Sequence, residues 1–305
     1  MFIQAYQKGQ QLLSVCIKGL TGVYEQKLFL FNLFEFLDLP EADQSSKMAQ
    51  PRKINDSGLV VHDVSFKYPS THSYAVQNVN LAVRPGEMIA IVGENGSGKS
   101  TLVKLISQLY QVESGKITFH GQSIDQIQTK AYQKSISVLF QDFSKYDMTV
   151  KENIAGQEAT SLEHASKVEL MSKYSGADRF ITHLPNQYET LLGKRLGAGA
   201  ELSGGEWQRI ALSRAYFKDA ELIILDEPTS FMDGSAEGQF LNHLKELRRS
   251  KMIIMISHRL SNIQWADRIY VMDHGRIQDM GKHEDLVSRS DLYGALFSAQ
   301  KTVIG

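Results

Sequence analysis

One stretch of the sequence combines glycines, a lysine and a serine at a spacing that suits phosphate binding. The pattern G-x-x-x-x-G-K-S runs from Gly93 to Ser100, and it follows Glu87–Val92, which are mostly apolar and read as a short buried strand. A helical spacing of apolar residues begins directly after it. Strand, glycine-rich loop and helix together are the setting in which backbone N–H groups surround an anion. We therefore predict a nucleoside triphosphate site here, in preference to a glycine-rich turn that binds nothing.

Two side chains of this loop carry the predicted chemistry. Lys99 would bridge the β- and γ-phosphates, and the hydroxyl of Ser100 would ligate Mg²⁺. Gly93, Gly96 and Gly98 let the backbone approach the anion closely. The helix that begins near Lys99 adds its positive dipole end and its unpaired N–H groups.

A second group of reactive side chains lies at the end of another apolar strand. Leu222–Leu225 is a run of four large aliphatic residues, and Asp226 and Glu227 follow it directly. A carboxylate at this position near a phosphate loop is able to hold Mg²⁺, directly or through water. Glu227 is placed to accept a proton from an attacking water molecule. The alternative is a strand that ends in two exposed acids, and the phosphate loop upstream argues against it.

A second glycine-centred stretch, L-S-G-G-E-W-Q-R, occupies Leu202–Arg209 and opens a helix whose apolar positions include Ile210, Leu212 and Ala215. Ser203 is a suitable N-cap, and the N–H groups beyond it are available for phosphate. As structure alone the stretch is a capped turn, so its interpretation depends on the other motifs.

These side chains need a sheet to bring them together. The sequence predicts strands, besides the one before Gly93, at Leu59–Phe66, Val76–Val83, Lys116–Phe119, Ser135–Phe140, Glu221–Leu225, Lys251–Ile256, Arg268–Met272 and Arg276–Asp279. The last two are predicted to form an antiparallel pair. Polar residues follow three of the apolar strands, which is where open α/β sheets bind their ligands. Residues from about 142 to 218 are mostly helical in pattern and interrupt the alternation of strands and helices.

Residues 1–40 differ in composition from the rest of the chain. Thr21–Leu39 predicts a helix with apolar residues on nearly all sides, which stops before Pro40. Such a helix is expected to be buried against other chains or membrane-proximal protein, and the alternative is that it packs on this chain's own domain. Residues 41–57 turn polar and predict a linker.

The length, the net charge and the cysteine content of the chain limit the classes of protein to which it can belong. A chain of 305 residues holds one large domain or two modest ones. The net charge of −1, from 33 basic and 34 acidic residues, gives no electrostatic basis for nucleic-acid binding. Cys16 is the only cysteine, so an intrachain disulfide is excluded and a reducing compartment fits. No apolar stretch in the sequence is long enough to span a bilayer.

Together these motifs resemble the ATP-binding cassette family, and the resemblance covers about residues 58–300. Gly93–Ser100 resembles the Walker A loop of this family. Leu222–Glu227 resembles the Walker B strand with the glutamate that follows it, and Leu202–Arg209 resembles the signature motif. Further matches are Gln141 to the Q-loop glutamine, His258 to the switch histidine and Tyr68 to the aromatic residue that stacks on adenine. Ser230–Asp233 resembles the D-loop, with Phe231 and Met232 in place of the usual small residue and leucine.

The resemblance implies an α/β fold of the P-loop NTPase type. Its RecA-like core sheet would carry an antiparallel β part and a helical subdomain at about residues 142–218. The implied activity is ATP hydrolysis, with Mg²⁺, by the catalytic residues Glu227, His258, Gln141 and Lys99. The implied metal ligands are Ser100, Gln141 and Asp226. The implied nucleotide-binding residues are Tyr68, Gly93, Glu94, Asn95, Gly96, Ser97, Gly98, Lys99, Ser100, Thr101, Gln141, Asp226, His258 and Asp233, with Ser203, Gly204 and Gly205 serving a second copy of the domain.

The order of segments is similar to that of exporter-type members, in which a membrane domain precedes a linker and a cassette. The N-terminal helix would then be the cytoplasmic end of the last membrane helix, and the chain the C-terminal half of an exporter subunit. The implied partners are a second cassette and the transmembrane domain, at the cytoplasmic face of a membrane, and nucleic acid is not among them. Thr190–Arg195 departs from the exporter pattern T-x-V-G-E-x, because Lys194 stands where glutamate is expected.

Two alternatives to export remain open from the sequence. A soluble cassette ATPase acting in repair or translation usually has two cassettes or a coiled-coil insertion, and this chain shows neither. A regulatory nucleotide-binding module without turnover would be favoured by a substituted Glu227 or His258, and both residues match the family pattern.

Overall fold

The structure is a computed structural model that describes residues 2–38, 54–55, 57–69, 71–156, 162–193, 199–232 and 234–304. It divides the chain into two compact units, Met1–Ser46 and Lys47–Gly305. Most of the predicted linker lies outside the described residues, as do Lys194 and Asp233.

The described part of the first unit is one long helix, α1, Phe2–Leu37. The predicted helix, Thr21–Leu39, was too short at its start, because no proline interrupts the preceding residues and isolated glycines cost only about 1 kcal/mol each. Large apolar side chains are exposed along the helix, from Phe2 to Leu37. Among the described residues, no helix combines the length and the apolar character needed to cross a membrane.

The second unit contains both strands and helices. In chain order its strands are β1 Leu59–Phe66, β2 Val76–Val83, β3 Met88–Val92, β4 Ser114–Phe119, β5 Gln122–Ser123, β6 Ile136–Leu139, β7 Leu222–Asp226, β8 Met252–Ile256, β9 Arg268–Asp273 and β10 Arg276–Gly281. Its α-helices are α2 Lys99–Ile106, α3 Thr129–Ser135, α4 Val150–Ala155, α5 Leu162–Ser175, α6 Asp178–Ile181, α7 Gly204–Phe217, α8 Gly234–Leu247, α9 His283–Arg289 and α10 Asp291–Ile304. Each predicted strand is present in the structure, with ends that differ by a few residues.

A mainly parallel sheet forms the centre of this unit. In the described residues its strand order is β10-β9-β3-β8-β7-β6, and the one antiparallel pair is β9 with β10, as predicted. Every residue of β3, β7 and β8 is buried, which is typical of strands covered on both faces. The carboxyl ends of these three strands lie side by side, with Asp226 opposite Ile256. Residues that directly follow the strands are therefore brought to one edge.

A second, antiparallel sheet with strand order β2-β1-β4-β5 packs on one face of the first. Val61 and Phe119 of this sheet share a core with Ile89 and Ile91 of β3. Tyr270 also joins the two sheets, since its hydroxyl bonds the backbone N–H and C=O of Ala82 at 3.1 and 3.2 Å. The end of β2 is thereby fixed to β9 of the central sheet.

Helices α4 to α7 form a separate layer with its own core, built on Val150, Ile154, Trp207 and Ile210. The first of these helices begins with a capping box between Thr149 and Glu152. This helical part interrupts the strand–helix alternation between β6 and β7, as the sequence predicts.

Candidate nucleotide-binding site

The loop between β3 and α2 follows a tight path that glycine permits. Gly98 is the N-cap of α2 and has a left-handed backbone with φ 102°. A Cβ atom at this position would lie 2.5 Å from the carbonyl oxygen of Ala75. A Cβ atom at Gly93 would overlap the carbonyl oxygen of Met272. This path leaves the N-terminus of α2 facing the loop, where an anion is favoured.

The ammonium group of Lys99 lies inside this loop, and the residue is only 6% exposed. It donates hydrogen bonds to the carbonyl oxygens of Gly93 and Glu94, at 2.9 and 2.7 Å, and to Ser97 Oγ at 3.3 Å. Burial lowers the pKa of Lys99, while the charge of Glu227 opposes that effect. A positive charge is thus held where the loop would surround phosphate.

Ser100 and Asp226 bring two oxygen atoms together beside the loop. Ser100 Oγ donates a hydrogen bond to Asp226 Oδ2 at 3.0 Å. Burial raises the pKa of Asp226, and the hydrogen bond from Ser100 lowers it. Hydroxyl and carboxylate oxygens are ligands that Mg²⁺ prefers, and Mg²⁺ commonly adds phosphate oxygens and water. The pair fits that ion, and the described residues contain no cluster of three or more His, Cys, Asp or Glu residues that would form an independent metal site.

Glu227 follows β7 with an unusual backbone, since its φ of 52° lies in the left-handed region. That conformation costs a non-glycine residue about 1–3 kcal/mol. Its Oε1 accepts a hydrogen bond from the backbone N–H of His258 at 2.8 Å, and His258 Nε2 lies 3.5 Å from the same oxygen. Burial raises the pKa of Glu227 to about 7. Burial lowers the pKa of His258, with Lys99 acting in the same direction.

Tyr68 lies just beyond β1 within an aromatic cluster. Its ring meets Phe66 and Tyr110 edge-on, with centroid distances of 5.0 and 5.3 Å. Its hydroxyl lies 3.2 Å from Thr101 Oγ1. The ring is therefore held by two aromatic neighbours and at its hydroxyl, beside the first turn of α2.

A cavity of about 390 Å³ brings most of the predicted site residues together. The predicted residues that line it are Tyr68, Asn95, Gly96, Gly98, Lys99, Ser100, Thr101, Gln141, Asp226, Glu227 and His258. The remaining loop residues, Gly93, Glu94 and Ser97, contact Lys99 instead. The ring of Tyr68, the glycine-rich loop with Lys99, the Ser100–Asp226 pair and Glu227 thus line one cavity.

The second glycine-centred loop is built as an N-cap. Ser203 Oγ accepts a hydrogen bond from the N–H of Glu206 at 3.3 Å, and the carboxylate of Glu206 bonds back to Ser203 N at 2.8 Å. Ser203 and Gly204 are exposed, and among the described residues neither they nor Gly205 line the cavity. The structure therefore does not bring this loop to the phosphate loop of the same chain.

A protein-family model described as ABC transporter matches residues 76–230, about half of the chain. The chain belongs to the ABC transporter family. It is 41% identical over 275 residues to the subtilin transport ATP-binding protein of Bacillus subtilis, covering 90% of this chain and 45% of that relative. It is 36% identical over 291 residues to an ATP-dependent lipid A-core flippase of Haemophilus influenzae (strain 86-028NP), covering 93% and 48%.

A solved structure of a bacterial Atm1-family ABC exporter with ATP bound is similar to this ABC chain, with a TM-score of 0.80 and 30% identity. The similarity covers 90% of this chain and 47% of the exporter chain. The predicted fold class and family are confirmed, and the chain contains an ATP-binding ATPase cassette. It spans about half the length of the relatives it matches.

Two features of the cassette site were not predicted from the sequence. The hydroxyl contact of Tyr68 with Thr101 joins the loop after β1 to the first turn of α2, and no local pattern indicates it. Gln208 is buried in α7 and donates from Nε2 to the carbonyl oxygen of Glu227 at 2.9 Å. The sequence signal for Gln208 is its place in the Leu202–Arg209 motif, which does not indicate the contact with Glu227.

Proposed function

We propose that this chain couples ATP hydrolysis to export and that it works at the cytoplasmic face of a membrane. The observation that carries the proposal is the convergence of Lys99, the Ser100–Asp226 pair and Glu227 in one cavity. Support for transport comes from relatives whose names describe a transport ATP-binding protein and a flippase.

Phosphate binding is assigned to the loop and to α2. Lys99 would move its ammonium group from the carbonyl oxygens of Gly93 and Glu94 to the β- and γ-phosphates, because charged acceptors form stronger hydrogen bonds. Ser100 and Asp226, with Gln141 of the same cavity, would hold Mg²⁺. When bound, Mg²⁺ neutralises the charge that develops on the phosphate oxygens during transfer.

Glu227 is assigned as the general base that accepts a proton from the water attacking the γ-phosphate. A pKa of about 7 suits this role, since such a carboxylate is partly ionised at neutral pH and is basic enough to take a proton. His258 would contact the γ-phosphate. Its lowered pKa favours a neutral imidazole, which donates one hydrogen bond and accepts another.

Adenine binding is assigned to Tyr68. Its ring lines the cavity and is held in place by Phe66 and Tyr110, which supports a role in stacking on the base. Stacking of a base on an aromatic side chain contributes roughly 1–3 kcal/mol.

We assign each ATP to a site that is formed jointly by two chains. A single nucleotide needs one phosphate cradle, so the exposed loop at Ser203–Gly205 would serve a nucleotide held by another cassette. Head-to-tail pairing of two copies uses both loops twice and is closed by two-fold symmetry. Asp233, assigned to the same interface, lies outside the described residues.

The domain assignment follows the exporter order. Residues 58–300 would form the cassette, with its helical subdomain at about 142–218, and residues 41–57 the linker. Residues 1–40 would be the helical end of a transmembrane domain. The exposed apolar side chains along α1 support this assignment, because contiguous exposed apolar surface marks contact with a partner or a membrane.

The helical subdomain offers a route from a membrane domain to the nucleotide. A second cavity, of about 910 Å³, is lined by Tyr146, Met148 and Arg214, among others. Arg214 donates to Ser144 O at 3.1 Å and lies over the ring of Tyr146. Tyr146 and Met148 of this cavity follow Gln141 closely in the chain, so we propose that contact with the membrane domain here is transmitted to Gln141.

The test of this proposal is ATP turnover by the full chain and by Glu227→Gln. General-base contributions run to about 10²–10⁴-fold, so the variant should lose that much turnover while it still binds ATP. Glu221→Gln is the matched control, because it makes the same chemical change at the opposite end of β7. A Glu227→Gln turnover within threefold of the wild-type value would remove Glu227 from the mechanism.

The cellular location of the chain and its ATP turnover distinguish an exporter cassette from a soluble cassette ATPase and from a regulatory module. An antibody against the chain should find it in the membrane fraction of the source cells. Recovery only in the soluble fraction, with turnover intact, would favour a soluble cassette ATPase. Tight ATP binding by the wild-type chain with no turnover would favour a regulatory module.

A further inference from the structure

We propose that Gln208 is a positioning residue that fixes the backbone of Glu227 and so aims its carboxylate at the attacking water. The inference rests on the proposed function, in which Glu227 is the general base. It adds a residue of α7 to a site whose other members lie on α2 or at the ends of strands.

The first observation is that Gln208 uses both ends of its amide although it is only 3% exposed. Its Nε2 donates to the carbonyl oxygen of Glu227 at 2.9 Å and to Ser230 Oγ at 3.0 Å. Its Oε1 accepts from the backbone N–H of Phe231 at 3.2 Å. One side chain thus holds both sides of the turn that follows β7.

The second observation is that Glu227 needs such support. Its left-handed φ of 52° is unfavourable for a non-glycine residue and persists only where surrounding contacts impose it. The N–H of Glu227 donates to Ile256 O at 3.0 Å, which fixes one side of the residue. On the other side, the carbonyl oxygen accepts from Gln208 and, at a longer 3.4 Å, from Ser230 N.

The third observation concerns where α7 begins. Ser203 caps the same helix, and a Cβ atom on Gly205 would lie 3.0 Å from Phe231 O. The helix whose first residues would meet the partner's nucleotide is therefore the helix that holds Glu227 of its own site. Loss of the Gln208 contacts should then leave ATP binding and pairing intact while turnover falls.

The test uses Gln208→Met, which keeps the side-chain length but cannot hydrogen-bond, in the full chain. We expect kcat to fall by about 10–100-fold while KM for ATP changes by less than about twofold. Gln208→Glu is the second variant, because it keeps the volume and the acceptor for Phe231 N but not the donor to Glu227. Ser213→Ala is the control, since Ser213 is a buried polar residue of α7 that bonds Arg209 O and Ser175.

The deciding measurement repeats Gln208→Met in the Glu227→Gln background. If Gln208 acts through Glu227, the double variant should turn over ATP at the rate of Glu227→Gln alone, within about twofold. An equal loss of kcat in both backgrounds, or a Gln208→Met and Gln208→Glu kcat within twofold of wild type, overturns the inference. If Glu227→Gln itself keeps wild-type turnover, the proposed base and this inference fail together, whereas a slow Glu227→Gln with an unaffected Gln208→Met defeats this inference alone.

Discussion

Burial of Glu227 brings the titration of its carboxyl group into the neutral range, with a pKa of about 7. A general base works only when it is deprotonated, so kcat should rise with pH and level off above an apparent pKa near that value. The measurement is kcat at saturating ATP across this range for the wild-type chain and for Glu227→Gln. The variant should lack the step, and a step that survives in Glu227→Gln would assign it to another group.

The same shift predicts how stability depends on pH. The folded pKa of Glu227 is raised above its ordinary value of 4.5, so the folded chain holds the proton more tightly than the unfolded chain does. Between those two values the stability should therefore fall as pH rises, and the cost of the buried charge is fully present above pH 7. We expect Glu227→Gln to raise the melting temperature at pH 8 by several degrees and to leave it almost unchanged at pH 4. An equal increase at both pH values would contradict the assigned shift.

At Tyr68 the contributions of the ring and of the hydroxyl are separable. Tyr68→Ala should weaken ATP binding by roughly 1–3 kcal/mol, because the stacking surface is lost. Tyr68→Phe keeps the ring and loses the contact with Thr101 Oγ1, which is worth about 0.5–1.5 kcal/mol, mostly to stability rather than to binding. Nucleotide titration and thermal unfolding of both variants measure the two effects. Equal losses of affinity in both variants would show that the hydroxyl, and not the ring, holds the base.

At the level of elements, the sequence predicts the centre of the sheet well because three of its strands are mostly apolar runs. β3, β7 and β8 are fully buried and are recognisable without tertiary information. The start of α1 was missed because its first half has a mixed composition, although no proline interrupts it. The contact of Gln208 with Glu227 was missed because the two residues meet only when α7 is packed against the end of β7.

The phosphate loop provides a test of its own geometry. Gly96 and Gly98 both have positive φ, but a Cβ atom at Gly96 would have nothing within 4 Å, while one at Gly98 would approach Ala75 O. Both alanine variants should be destabilised by about 1–2 kcal/mol because a Cβ is unfavourable at positive φ, and only Gly98→Ala should lose more through the clash. Thermal unfolding should rank wild type above Gly96→Ala and Gly96→Ala above Gly98→Ala. The reverse order of the two variants would contradict the loop path described here.

For the whole molecule, the arrangement of the two anion loops is the feature with the largest consequence. The cavity contains Lys99, Ser100, Asp226 and Glu227 of one chain, and the loop at Ser203 is exposed elsewhere on the same unit. Two such chains paired head to tail would complete two sites. A substitution in either loop of one chain would then affect a site that the partner chain shares. An isolated cassette is expected to pair weakly without a membrane domain, so pairing should be studied at high protein concentration.

The most direct test of this shared site mixes variants that are inactive alone. Lys99→Ala removes the phosphate lysine, and Ser203→Arg blocks the second loop. In a mixed dimer of the two, one site inherits both lesions and the other is intact, so random pairing should restore about a quarter of wild-type turnover.

A mixture of the double variant with wild-type chain distinguishes a shared site from a single-chain site more clearly. An excess of the double variant, Lys99→Ala with Ser203→Arg, should suppress the turnover of added wild-type chain, because in every mixed dimer each site then carries one lesion. Crosslinking verifies that mixed dimers form. Suppression by the double variant is the result that this account predicts, and wild-type turnover that is unaffected, although mixed dimers have formed, would contradict it.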